Sequence, residues 1–137
     1  MKIGIIGSMH MTEHMLELKE KLESMGHVVI VSGFASEYVG KSDEEKESLK
    51  LHHKNNCDAI REFWTRMQDC DAVLVANYEK HGIANYIGGN TLMEIGFAYV
   101  LNQKIFLLNP VPEIPFYKSE IEAVKPIIIN GDLSLIR

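Results

Sequence analysis

Five short apolar runs constrain this chain more than any other feature. They are Ile3–Ile6, Val28–Val31, Ala72–Ala76, Ile105–Leu108 and Ile127–Ile129. Each is too short for a helix and shows no polar alternation. All five read as strands, Ile3–Ile6 and Ala72–Ala76 as buried ones, and short apolar strands alternating with helices are the signature of a parallel sheet. Between the first two, Met11, Met15, Leu18, Leu22 and Met25 recur at steps of four, three, four and three. That spacing puts one apolar stripe on a helix. Gly26 follows where a left-handed C-terminal cap belongs. The chain therefore opens strand–helix–strand, the unit from which parallel sheets are built.

The rest of the pattern extends this unit. Residues 35–48 are polar and predict an exposed loop leading into a helix, with Ser42-Asp43-Glu44-Glu45 as its capping box. Leu49, His53, Asn56, Ile60, Phe63 and Met67 predict one long helix. Asp71 opens the third strand, and a long loop, Asn77 to Asn90, follows it. Thr91 to Leu101 reads as a helix. Pro110, Pro112 and Pro115 forbid regular structure before a short helix near Glu120–Val124. The predicted fold is α/β: one domain, residues 1–137, with a doubly wound, mostly parallel five-stranded sheet and helices on both faces. Such sheets bind ligands beyond the carboxyl ends of their strands.

Composition narrows the ligand. The chain has 137 residues, 46% of them hydrophobic, and a formal net charge of -5. That charge argues against duplex nucleic acid, whose binding rests on Lys and Arg neutralising phosphates. It leaves open a single nucleotide, because backbone N–H groups at a helix start can hold one phosphate. No apolar run approaches the roughly 20 residues that cross a bilayer. The opening segment is too soon interrupted by Gly4 and Gly7 for a signal peptide. Cys57 and Cys70 match no metal or redox spacing. The expectation is a cytoplasmic protein with a small-molecule partner, no membrane contact and no cofactor.

Chemistry is expected in the loops at the carboxyl edge. Gly7-Ser8 after the first strand gives a tight turn with a hydroxyl beside free N–H groups. It is also simply a good turn and cap. Gly4 and Gly7 do not make a dinucleotide fingerprint, and Gly40-Lys41-Ser42 lacks the upstream glycine of a Walker loop. His10-Met11-Thr12-Glu13-His14 matches an HxxEH zinc pattern. No third ligand follows, so no metal is expected there, and His52-His53 reads as partly exposed surface. Gly88-Gly89 lets a backbone approach a ligand closely. Glu94 is placed in the first turn of the next helix, where the positive helix end favours its ionised form. A fixed carboxylate beside an anomeric carbon is what nucleophilic glycosyl transfer needs. Thr91-x-x-Glu94 is equally a capping box.

The stretch Gly89-Asn90-Thr91-Leu92-Met93-Glu94-Ile95-Gly96-Phe97-Ala98-Tyr99, followed by Lys104-Ile105-Phe106-Leu107, resembles the nucleoside 2-deoxyribosyltransferase superfamily. This superfamily includes base-exchanging transferases and nucleotide N-glycosidases. The resemblance implies Glu94 as nucleophile. It places Gly7, Ser8 and Met9 against the sugar or phosphate, and Gly88, Gly89, Asn90 and Thr91 around the pocket. Asp71 at the head of the third strand also fits, and a homo-oligomer is implied. The chain departs from the pattern at Gly4, where an aromatic is usual. It departs again at Phe63, where an aspartate is usual, with Glu62 and Asp58 nearby. The implied activity is N-glycosyl hydrolysis or transfer on a (deoxy)nucleoside or its monophosphate. The alternative is a non-catalytic nucleotide sensor of the same fold. A flavin binder would want a hydroxyl-rich phosphate loop. A receiver domain would want paired acids after the first strand, where this chain has Gly7-Ser8-Met9-His10.

Overall fold

A computed structural model describes residues 1–137. Strands β1 (Lys2–Ile6), β2 (Val28–Ile30), β3 (Ala72–Val75), β4 (Lys104–Leu107) and β5 (Ile127–Ile128) form one sheet in the order β2-β1-β3-β4-β5. All four pairings are parallel; Ile3 sits opposite both Val29 and Ala72, and Val73 opposite Ile105. The α/β fold expected from the five apolar runs is therefore present. The order reverses direction between β1 and β3, the point where doubly wound sheets open a crevice.

Helix α1 (Thr12–Ser24) follows a short 3-10 turn, Met9–Met11. Gly26, at φ 94, ends it in the left-handed conformation that an L side chain would strain. Met15, Leu18 and Leu22 of α1 pack with Ile3, Ile5 and Leu74 on one face of the sheet. On the other face, Phe63, Met67, Ile95, Ala98 and Ile121 pack with Val73, Val75 and Ile105. The two cores lie on opposite sides because successive strand residues point to opposite faces.

Three expectations need correction. The polar stretch after β2 contains a short helix, α2 (Ala35–Tyr38), and α3 (Asp43–Asn56) begins inside it. The Ser42 capping box is present: Glu45 N–H donates to Ser42 Oγ at 3.1 Å, and Ser42 N–H donates to Glu45 Oε1 at 3.0 Å. The single long helix is in fact two. Asp58 adopts φ 48, a left-handed conformation, and separates α3 from α4 (Ala59–Arg66). Apolar spacing carries across the break, so periodicity alone does not reveal it. Finally, α5 spans Gly89–Val100 with Gly88 as its N-cap. Thr91 and Glu94 therefore lie inside the helix, and no side chain caps it. The capping-box reading of this pair fails. After β4, the proline-rich stretch leads to α6 (Lys118–Ala123). No helix is long and apolar enough to cross a membrane.

Candidate functional site

The chain that leaves β3 is tied down before it reaches the crevice. Asn77 donates to the carbonyls of Asn109 and Pro110, at 2.9 and 3.1 Å, and its Oδ1 accepts from Asn109 N–H at 2.9 Å. Asn109 Nδ2 returns a bond to the Asn77 carbonyl at 3.0 Å. This clasp locks the ends of β3 and β4. Further on, Lys80 and Ile83 exchange backbone bonds around a tight turn. Tyr117 Oη donates to the Ile87 carbonyl. The long loop is thus an ordered wall, not a slack connection.

That wall, the β1 turn, α2, α3 and the start of α5 enclose a cavity of about 160 Å³. One water needs roughly a tenth of that space. Gly7, Ser8, Met9, Gly88, Gly89, Asn90, Thr91 and Glu94 all line it. Asp71 does not. It sits at the amino end of β3, where its carboxylate accepts from Lys2 N–H at 2.7 Å. Four strand residues, or roughly 13 Å, separate it from the carboxyl edge. Its role is to close the edge of the β1–β3 ladder.

At one end of the cavity the side chains are cationic. Lys50, Lys54 and Lys80 line it, although the whole chain is net acidic. Lys50 is paired with Glu47 at 2.8 Å. Lys54 and Lys80 have no acid within ion-pair distance. Lys50 and Lys54 are four apart on α3 and so share its face. Lys80 Nζ donates to Ser8 Oγ at 2.9 Å. Ser8 Oγ also accepts from His10 N–H, at 3.4 Å. With both acceptor positions taken, the Ser8 hydroxyl proton is left to point at a ligand. Burial first, and the neighbouring Lys50 charge second, push the Lys80 ammonium below its ordinary range. An arriving anion would relieve both penalties.

A second wall is aromatic. Phe34 and Phe63 line it, and the Phe34 ring stacks on His53 with centroids 4.2 Å apart. His53 is only 3% exposed, contrary to its reading as partly exposed surface. Its Nδ1 meets Tyr38 Oη at 2.9 Å, and its Nε2 meets Glu37 at 3.3 Å. The sequence gives no local sign of this. The partners come from α2, where a loop was expected. His52, by contrast, is exposed, as read. The HxxEH pair also parts: His10 bonds Glu47 at 2.9 Å, while His14 lies against the Tyr78 ring at 5.0 Å.

Glu94 is the acid of the cavity. It sits in the second turn of α5, so the helix end, whose influence fades within the first turn, does little for it. Burial, and then the charge of Glu62, push its carboxyl up to about 8. The expected ionised carboxylate is therefore, in the free protein at neutral pH, mostly a neutral acid. Glu62 lies on α4. Its Oε1 accepts from Arg66 Nε at 2.6 Å and from Gly33 N–H at 3.1 Å. Its Oε2 is buried with no partner. Asn90 Oδ1, on the cavity lining, is a second buried acceptor with no partner.

No protein-family model matches the chain, and neither does any curated protein at a significant level. Among solved structures, CMP N-glycosidase BcmB of Clostridium botulinum aligns over 95% of this chain and 90% of that one. The identity is 21% and the TM-score 0.48. A likeness that distant says nothing about activity.

Proposed function

We propose that this protein cleaves or exchanges the N-glycosidic bond of a nucleoside monophosphate, with Glu94 as the nucleophile. One observation carries the reading. A single buried carboxyl group and a cluster of lysines share one cavity at the β1/β3 crevice. The phosphate meets the Ser8 hydroxyl, Lys54 and Lys80. The base lies against Phe34 and Phe63. The sugar between them brings its anomeric carbon to Glu94, where the unpartnered Asn90 Oδ1 takes a sugar hydroxyl. Ionised Glu94 attacks, and the glycosyl ester that forms is opened by water or by a second base. The sequence resemblance around Gly89–Tyr99 supports the same assignment.

A second reading has its own support. The Glu94 carboxyl has no hydrogen-bond donor and favours its neutral form, which suits a binding pocket better than a nucleophile. On that reading the protein senses a nucleotide without turning it over. One experiment separates the two. The protein and Glu94→Gln are incubated with a panel of nucleosides and monophosphates, with and without a second base. Released base is followed by liquid chromatography. Base that appears only with the unsubstituted protein supports glycosyl transfer. Absence of turnover, with a monophosphate still raising the melting temperature, overturns it in favour of the sensor.

A further inference from the structure

Asn90 is an odd residue for the place it occupies. It lies in the first turn of α5, yet the N-cap of that helix is Gly88 and no side chain caps it. Asparagine favours a helix end when its side chain bonds the backbone there, and here it does not. Its Oδ1 is buried with no partner, on the lining of the cavity. A buried acceptor left unmet is costly, and such an atom usually has a ligand to meet. Alanine would serve the helix better at this position.

Its place on the helix fixes what it can meet. Asn90 and Glu94 are four apart in α5 and share a face, so their Cβ atoms are about 5–6 Å apart. Both side chains lean toward the helix N-terminus, the end that lines the cavity. Other polar groups of the cavity already have partners. Ser8 Oγ holds Lys80 at 2.9 Å, Tyr38 Oη is on His53 at 2.9 Å, and Ser32 Oγ accepts from Phe34 N–H at 3.2 Å. Thr91 is buried on the same lining, one position further round the helix, and is the natural control.

We infer that Asn90 holds the 2′-hydroxyl of the sugar and makes this a site for ribonucleotides, against their 2′-deoxy and arabino counterparts. The inference rests on the glycosyl-transfer reading above and names the sugar of its substrate. A nucleophile that displaces the base reaches the anomeric carbon from the face opposite the base. In a ribonucleotide the 2′-hydroxyl is on that same face, on the carbon next to the one attacked. A side chain one turn from the nucleophile, on the same helix face, is placed to meet it. Arabinose carries this hydroxyl on the other face and deoxyribose carries none, so both leave Asn90 Oδ1 unmet. A hydroxyl both donates and accepts, so either end of the Asn90 amide can serve it. As the C–N bond breaks, positive charge builds on the anomeric carbon, and a hydrogen bond to the neighbouring hydroxyl strengthens. The preference should therefore be at least as large in turnover as in binding.

The test uses the 5′-monophosphates of ribosyl, 2′-deoxyribosyl and arabinosyl adenine, cytosine, guanine and uracil. Binding is measured by isothermal titration in Glu94→Gln, alone and combined with Asn90→Ala or Thr91→Val. Base release is measured on the unsubstituted protein, Asn90→Ala and Thr91→Val, with melting curves on all. The ribonucleotide should bind about 5- to 150-fold more tightly than its deoxy counterpart, and the arabino analogue no better than the deoxy one. Asn90→Ala should lose most of that preference while melting no lower than the unsubstituted protein, whereas Thr91→Val should keep it. Equal affinity for ribo and deoxy ligands overturns the inference, and so does a preference that survives Asn90→Ala. Base released equally from ribo and deoxy substrates overturns it too, and leaves the glycosyl-transfer reading standing. A ribo preference in binding that is lost in Asn90→Ala, with no base released by any protein, leaves Asn90 as the sugar reader and overturns glycosyl transfer instead. Failure of every monophosphate to bind overturns both.

Discussion

Lys80 and Ser8, 72 residues apart in the chain, meet at 2.9 Å on the edge of the cavity. The bond joins the long loop after β3 to the turn after β1, across the crevice where the strand order reverses. It aims an ammonium and a hydroxyl at one point, and it leaves the hydroxyl proton free. A phosphate group is the ligand that uses both.

Lys80→Met should therefore weaken monophosphate binding while sparing the matching nucleoside. A hydrogen bond to a charged group contributes about 1.5–3 kcal/mol, so the loss is roughly 10- to 150-fold in Kd. Ser8→Ala should cost less, because it removes one neutral donor. Isothermal titration with a nucleoside and its monophosphate checks both. Equal losses for the two ligands would place the phosphate elsewhere.

The acid in the cavity makes a second prediction about stability. The Glu94 carboxyl is raised to about 8 in the folded protein, against an ordinary value near 4.5. Its neutral form is the one the fold prefers. Its contribution is full below the ordinary value and shrinks as pH rises, because the unfolded chain ionises first. The loss levels off once pH passes about 8. Glu94→Gln has no such dependence. Its melting temperature should equal or trail that of the unsubstituted protein near pH 4 and overtake it by pH 8. Parallel curves across that range would show that Glu94 is ordinary.

The strands and the crevice were legible in the sequence because both rest on local pattern. Ile3–Ile6 or Ala72–Ala76 can hardly be anything but a strand buried on both faces. The turns at Gly7 and Gly88 mark where such strands hand over to helices. Asp71 misled because only the resemblance put it in the site; its place at the head of β3, away from the carboxyl edge where such sheets bind ligands, argued against it. Glu94 was findable, but its state was not. The helix start lies two residues earlier than Thr91 suggests, and Glu62 is a neighbour only in space. The lysine end was missed for the same reason. Lys50 and Lys54 sit in a run of charged residues that reads as solvated surface, and only α2 and the β3 loop turn that surface inward.

His53 should behave as structure. It satisfies the Tyr38 hydroxyl, is stacked on by Phe34 and holds α2 against α3. His53→Leu keeps bulk but strands a buried hydroxyl, at a cost of about 1–3 kcal/mol. Tyr38→Phe in the same chain should recover part of that loss, since the orphaned group is gone. Urea denaturation of the two single variants and the double variant measures the coupling. Additive losses would mean the hydroxyl has another partner.

The Asn77 clasp links stability to ligand binding. Asn77 is 1% exposed, and its side chain makes three hydrogen bonds to the chain beyond β4. Asn77→Ala takes the partner from the Asn109 N–H and from two carbonyls at a half-buried site. The penalty for one unmet group is about 1–3 kcal/mol, and water entering the gap would offset some of the rest. A total near 3 kcal/mol is expected from urea denaturation. Asn77→Asp keeps the acceptor for the Asn109 N–H but replaces the donor with a carboxylate facing two carbonyls, so it should be no better than alanine. The loop begins at this clasp, and Lys80 reaches Ser8 only because the loop leaves β3 in one direction. Monophosphate affinity should therefore drop in Asn77→Ala even at temperatures where the protein is fully folded, with nucleoside affinity less affected. A variant that is destabilised yet binds monophosphate at full strength would show that the Lys80 turn is held by its own contacts, the Lys80–Ile83 bonds and the Tyr86–Tyr78 backbone bond at 3.0 Å.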